Sequence, residues 1–222
     1  MPSLRIHEVV RAHPELLEKF RSFRTPDVAN ALGPKTELMN SLIRPVWQCA
    51  CFGNALTVQT GPDDNFGVAM AALLAKPGDV IVVASGAEYT GAMVGGLIAR
   101  IAKSRGVTGF VVDGSVRDVV DFENLGMPVF ARSISPRRAG KEGPATLGGR
   151  VNCGGIAVRS GDIVIADSDG VAIVPAHELA ATQMLIEQAM VADKKAENDF
   201  DLLLGRFEAL LNASEIERLP PE

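Results

Sequence analysis

The sequence predicts an α/β fold. The run over residues 80–83 is continuously apolar, as in a strand covered on both faces, and a second strand spans 107–112. Between them Met93, Leu97 and Ile101 recur every four residues as one helical stripe. That strand–helix–strand order suggests a βαβ unit whose loops at the strand ends form a cleft, the usual ligand position in such sheets.

From the N-terminus, Thr25-Pro26 reads as an N-cap with proline at the first helical position, opening a short helix through Val28 and Leu32, with another helix before it. Residues 55–58 are β-rich; the turn at 61–64 then breaks the strand and starts a helix that ends before Pro77-Gly78. Gly106 stops the helix of the Met93 stripe. After residues 128–130, the segment 133–150 is rich in Gly, Pro and charge and reads as a long loop wrapping the surface or a neighbouring subunit. Short strands at 156–158, 162–165 and 171–174, divided by Ser160-Gly161 and the DSDG turn at 167–170, read as a β meander. From Pro175 onward Leu179, Ile186 and Met190 keep helical spacing, and 202–211 form a further helix. The expected organisation is a helical extension over 1–35, an α/β core over 36–178 and a second helical extension over 179–222.

Composition excludes several classes. A net charge of −5 argues against a broad nucleic-acid surface, because that affinity comes mainly from clustered Lys and Arg; the one basic cluster, Arg137-Arg138 with Lys141, is short. No apolar run approaches the roughly 18 residues of a membrane span, and the N-terminal segment lacks the apolar stretch of a secretory signal, so a cytoplasmic location is expected. Cys49, Cys51 and Cys153 fit neither a disulfide framework nor a zinc site and read as small buried residues.

Two stretches bear on chemistry. Gly95-Gly96-Leu97-Ile98 lies near the start of a helix, where paired glycines let a ligand approach the backbone and free N–H groups favour an anion such as a carboxylate; tight packing against the sheet accounts for the same pair. The second, VVDGSVRD over 111–118, ends a strand on Arg117-Asp118. Taken alone, the dipeptide reads as a solvated surface pair. At a strand end, however, Arg can clamp a carboxylate or a developing enolate oxygen, while Asp is a hard ligand suited to Mg²⁺ or Mn²⁺, and together they fit a 2-keto acid. Other features read as structural. The DSDG turn lacks the glutamate of a calcium loop, and His7, His13 and His177 show no ligand spacing. Lys76, Lys103 and Lys141 sit in polar or chain-turning contexts, unsuited to a Schiff-base lysine.

The string GGLIARIAKSRGVTGFVVDGSVRD, with GPDDNFGVAMAALLAKPGDVIVV before it and VNCGGIAVRSGDIVIADSDGVAIVP after it, resembles the RraA-like family over residues 25–180. That family includes class II 4-hydroxy-4-methyl-2-oxoglutarate / 4-carboxy-4-hydroxy-2-oxoadipate aldolases and regulators of ribonuclease E. The resemblance implies a swivelling β/β/α-type core, a homotrimer or hexamer, and a site at the subunit interface. Within that site it implies that the backbone of Gly95, Gly96, Leu97 and Ile98 holds a pyruvyl carboxylate. Arg117 would contact the pyruvyl oxygens as the catalytic residue, and Asp118 would bind a divalent cation, Mg²⁺ or Mn²⁺. The aldolases also carry an acidic residue twenty-one positions before the arginine, where this chain has Gly96. The activity implied is cleavage of a 4-hydroxy-2-keto acid or diacid to pyruvate and a second carbonyl product, with oxaloacetate decarboxylation beside it. Asp193 and Glu197 are weak candidates for the general acid. The alternative is a non-catalytic regulator that binds a ribonuclease or another protein partner. A third reading, an S-adenosylmethionine methyltransferase, lacks a glycine-rich loop of the G-x-G type followed by an acidic ribose ligand.

Overall fold

The computed structural model describes residues 1–86, 90–197 and 200–217, with the backbone alone for 195–197. Strand β1 (Leu4–Ile6) opens the chain, so the first 35 residues are not helical throughout; short helices α1 (Pro14–Glu18) and α2 (Thr25–Leu32) follow. Helix α2 begins one residue earlier than a Thr25 cap would give. The backbone N–H of Arg24 donates to Asp27 Oδ2 at 2.8 Å, and Thr25 instead donates its N–H and hydroxyl to Asp167.

Short strands β2 (Glu37–Leu38) and β3 (Arg44–Pro45) lead to the long β4 (Cys51–Thr60). Helix α3 (Phe66–Leu74), β5 (Asp79–Ala84), β6 (Ala92–Val94), α4 (Gly96–Ser104), β7 (Gly109–Val116), α5 (Val119–Leu125) and β8 (Val129–Ile134) make up the α/β centre. Strands β4, β5, β7 and β8 run parallel in that spatial order. Two sequence expectations change here. Met93 lies in β6 and not on a helix, so the Met93–Leu97–Ile101 stripe is no single face; α4 buries Ile98, Ala99 and Ala102 and leaves Leu97 74% exposed. The register of β7 against β8 shifts between Val112 and Ser115, yet β7 continues through Gly114 to Val116, so the turn falls on Arg117-Asp118 and not on Asp113-Gly114.

The segment 133–150 is not a loop throughout, since β9 (Ala145–Leu147) pairs with both β1 and β4. Strands β10 (Arg150–Cys153) and β11 (Ile156–Arg159) form a separate antiparallel ribbon. The hairpin of β12 (Ile163–Asp167) and β13 (Gly170–Val174) extends the main sheet beyond β4, with Asp167 opposite Gly170 as the DSDG turn requires. Helices α6 (Leu179–Glu197) and α7 (Phe200–Ala213) close the chain.

Alternation along β5 builds the layers. Ile81 and Val83 face a core shared with α3, α4 and α5, while Val80, Val82 and Ala84 face Val151, Cys153 and Val158 of the ribbon. Ribbon, sheet and helices therefore stack as β/β/α, with both faces of the central strands covered. A third core packs Ile163, Ile165 and Val174 against Phe20, Val28, Leu179 and Ile186. The N-terminal segment is tied to the core by Arg11, whose Nε and Nη2 donate to Asp79 at 2.7 and 2.8 Å. Cys51 and Cys153 are buried free thiols and Cys49 is half-buried; burial pushes the pKa of each upward. Among the described residues no helix is long and apolar enough to cross a membrane.

Candidate active site

Parallel strands present their carboxyl ends on one side, and there β6 and β7 deliver the chain into α4 and α5. Gly95 is the extended residue before α4, and the first amide to close on it is that of Ala99. The N–H groups of Leu97 and Ile98 thus belong to the first turn, where helical amides have no intrahelical partner and the helix dipole adds positive potential.

At the end of β7 the Arg117 N–H donates to Val94 O at 3.0 Å, and Asp118 takes left-handed backbone angles (φ 61°, ψ 44°) as the residue before α5. Aspartate tolerates this conformation better than most residues, and the turn leaves both side chains on the same cavity. Asp118 Oδ2 accepts the Gly96 N–H at 3.0 Å and lies 3.5 Å from Arg117 Nε. A Cβ on Gly95 would stand 2.7 Å from that same oxygen, so the glycine permits the carboxylate's approach.

Arg117, Asp118, Gly95, Leu97 and Ile98 line one cavity of about 120 Å³, well below the roughly 300–1,000 Å³ of drug-sized sites and of a size for a small acid. Of the site residues expected from the sequence, Gly95, Leu97, Ile98, Arg117 and Asp118 line this cavity, while Gly96 is buried beside it and donates its N–H to Asp118 Oδ2. Asp193 does not: its carboxylate accepts from Asn30 on α2. Glu197 ends α6, and its side chain lies outside the described residues.

Asn65, Ala92, Arg138, Ala139 and Lys141 complete the cavity wall, three of them polar or charged. Lys141 Nζ donates to Asn65 Oδ1 at 2.7 Å. Desolvation first, then repulsion from Arg138 and Arg117, holds the Lys141 ammonium pKa below its ordinary value, with Asp64 opposing. These residues arrive together because the turn before α3 clasps the 138–143 segment. Asp64 Oδ2 accepts the N–H groups of Glu142 and Gly143, Gly140 N donates to Asp63 O, and Asn65 N donates to Gly140 O. The sequence signalled a short basic cluster at 137–141, but nothing local placed it opposite Asn65.

The cavity therefore gathers the guanidinium groups of Arg117 and Arg138 and the Lys141 ammonium around the one carboxylate of Asp118, an excess of positive charge that suits a small anion. Among the described residues no group of three or more His, Cys, Asp or Glu is placed to hold a metal ion. A cation here would take one protein oxygen and fill its shell with water and ligand oxygens, as Mg²⁺ commonly does.

The sequence profile of the RraA-like family (Aldolase/RraA) matches residues 25–173. This chain belongs to the RraA-like family, and its three layers are the α/β, swivelling β/β/α-type core expected of that family. A protein of Halalkalibacterium halodurans named "Putative 4-hydroxy-4-methyl-2-oxoglutarate aldolase" is 35% identical over 166 residues, covering 74% of this chain and 79% of its own. Among solved structures, the RNA-processing inhibitor RraA from Thermus thermophilis superposes with a TM-score of 0.64 at 27% identity over 69% of this chain and 93% of that one. A Streptomyces coelicolor member of the RNase ES inhibitor RraA protein family gives a TM-score of 0.72 at 25% identity over 86% and 98%.

Proposed function

We propose that the chain is a cytoplasmic, divalent-metal-dependent carbon–carbon lyase that cleaves a 4-hydroxy-2-keto acid or diacid to pyruvate and a second carbonyl product, and that it works as a homotrimer or hexamer. One observation carries the reading: Arg117, Asp118 and the first-turn amides of α4 converge on a single small cationic cavity. The aldolase name of the 35% identical relative supports it.

In this reading the first-turn N–H groups of Leu97 and Ile98 hold the substrate's 1-carboxylate, and Arg117 grips two pyruvyl oxygens, the keto oxygen and one of the carboxylate, with its planar fork. The 4-hydroxyl proton passes to water, the C3–C4 bond breaks, C4 becomes a carbonyl, and the electron pair passes into the pyruvate enolate, which then takes a proton from water at C3. Negative charge grows on the oxygen facing Arg117, so the guanidinium stabilises the transition state more than the ground state. Asp118 would hold a divalent cation, Mg²⁺ or Mn²⁺, which would supply Lewis-acid polarisation of the keto acid. Arg138 and Lys141 offer positive charge to a second carboxylate, which favours diacids. Lys141 is occupied by Asn65 and needs no covalent role.

The test is pyruvate release by the purified protein from 4-hydroxy-2-keto diacids and from oxaloacetate, with Mg²⁺, with Mn²⁺ and with EDTA. Metal-dependent release from either supports a lyase and tells aldol cleavage from decarboxylation. A second reading, a regulator of a ribonuclease or other protein partner, is favoured by the likeness to the two RraA structures. Absence of release from every substrate would make it the better account.

A further inference from the structure

We propose that Asp121 is a positioning residue of the candidate metal site, holding cation-bound water through the space left open by Gly96; this rests on the lyase reading, in which Asp118 is the metal ligand. The two carboxylates stand one helical turn apart, since Asp118 precedes α5 and the Asp121 N–H donates to Asp118 O at 2.9 Å. Both reach across the N-terminus of α4. Asp118 Oδ2 sits over Gly95 and bonds the Gly96 N–H, while Asp121 lies directly over Gly96. A Cβ built on Gly96 would overlap Asp121 Oδ2 and stand 3.1 Å from its Cγ. A side chain at 96 and the present Asp121 rotamer therefore exclude one another.

That exclusion explains how this chain can lack an acid at position 96. The Cβ of any residue at 96 would enter the volume into which α5 already sends Asp121. In this proposal the negative charge stays beside the N-terminus of α4 while its origin moves from α4 to α5. The competing account makes Asp121 the partner of Arg100, but that pair is 3.7 Å apart with side chains 65% and 42% exposed, a screened contact of little worth. The side chain is accessible to water and to a cation's hydration shell.

The experiment is Mn²⁺ titration of the intact protein without substrate, followed by paramagnetic resonance, on wild type and on Asp118→Asn, Asp121→Ala, Asp121→Asn, Arg100→Ala and the double variant Gly96→Asp/Asp121→Ala, each first checked for a native thermal transition. Outer partners of metal ligands are typically worth about tenfold to a hundredfold in affinity, so Asp121→Ala and Asp121→Asn should weaken Mn²⁺ binding by about tenfold or more. The double variant, which returns the carboxylate to α4, should recover most of the loss, and Arg100→Ala should leave affinity near wild type. Wild-type affinity in both Asp121 variants overturns the proposal, as does a double variant no better than Asp121→Ala alone, or an Arg100→Ala loss equal to that of Asp121→Ala. If Asp118→Asn also binds Mn²⁺ like wild type, the lyase reading of Asp118 fails with it; if only Asp118→Asn loses Mn²⁺, the reading stands and the Asp121 role alone falls.

Discussion

Arg117 Nε stands 3.5 Å from Asp118 Oδ2, yet the two side chains remain 33% and 41% exposed and each faces the same cavity. A screened pair of this kind is worth at most about 1 kcal/mol, so stability does not account for placing both at the end of β7. If Arg117 grips two oxygens, lysine keeps the charge but loses the fork. Arg117→Lys should retain Mn²⁺ binding while kcat/KM falls about tenfold to a thousandfold, equivalent to about 1.4–4 kcal/mol of transition-state stabilisation. Steady-state kinetics beside a Mn²⁺ titration decides it, and a kinetically silent variant would return the pair to the role of surface ornament.

Asp118→Asn separates charge from shape. Asparagine tolerates the left-handed conformation about as well as aspartate, and its side-chain oxygen can still accept the Gly96 N–H, so the thermal midpoint should move by no more than a few degrees. A neutral amide is a poor ligand for a hard cation, and metal-dependent turnover should be abolished. Wild-type rates at limiting Mg²⁺ would remove Asp118 from the chemistry.

The Lys141 pKa is held below its ordinary value of 10.5, chiefly by desolvation. Between the lowered folded value and 10.5 the unfolded chain holds the extra proton, so the contribution of this group to stability rises with pH over that window. Anion binding runs the other way, because it needs the ammonium. KM for a diacid should therefore climb on the alkaline side, beginning below pH 10.5, with kcat less affected. Lys141→Arg keeps its charge across the range and should flatten that limb. A pH series of KM for the two proteins checks it; coincident alkaline limbs would show that Lys141 does not face the substrate.

Much of this was readable in the chain, for reasons that can be stated residue by residue. The continuous run at 80–83 gives β5 because a strand buried on both faces has no polar side to alternate. Arg117-Asp118 was locatable because a strand end and a family motif coincide there. What failed was the assignment of Met93 to a helix: a four-residue spacing across the β6–α4 junction imitates helical periodicity, although the chain is extended at Gly95. Asn65 and Lys141 were invisible as a pair because they are 76 residues apart and meet only through the clasp at Asp63 and Asp64. Asp121 carried no signal at all, since an acidic residue in a first helical turn is ordinary and only the packing shows it over Gly96.

The Arg11–Asp79 pair sets the stability of the N-terminal segment. Asp79 is fully buried and accepts two guanidinium bonds and the Lys76 N–H, while Arg11 is 19% exposed. Arg11→Met keeps the apolar stem and strands a buried carboxylate, a change that costs about 3 kcal/mol, or roughly 6–12 °C for a chain of this length. Differential scanning calorimetry measures it. A fall under about 2 °C would mean that the Lys76 amide and water suffice for Asp79.

Helix α7 bears on assembly. Phe200, Leu202, Phe207, Leu210 and Leu211 are all 51–69% exposed, and among its described residues none is buried. A helix apolar around most of its circumference is normally covered, and in the proposed homotrimer or hexamer the cover would be a neighbouring copy of the chain. Static light scattering should give three or six times the 23.5 kDa chain mass. Placing charge on two outward positions, Phe207→Asp with Leu211→Asp, should shift the distribution toward smaller species, because each desolvated carboxylate would oppose burial. The helix ends far along the chain from Arg117, so loss of turnover that tracks loss of mass would show that the cavity needs its neighbour, whereas a dispersed but fully active variant would show that one copy holds the whole site. A wild-type mass of 23.5 kDa at micromolar concentration would overturn the assembly outright.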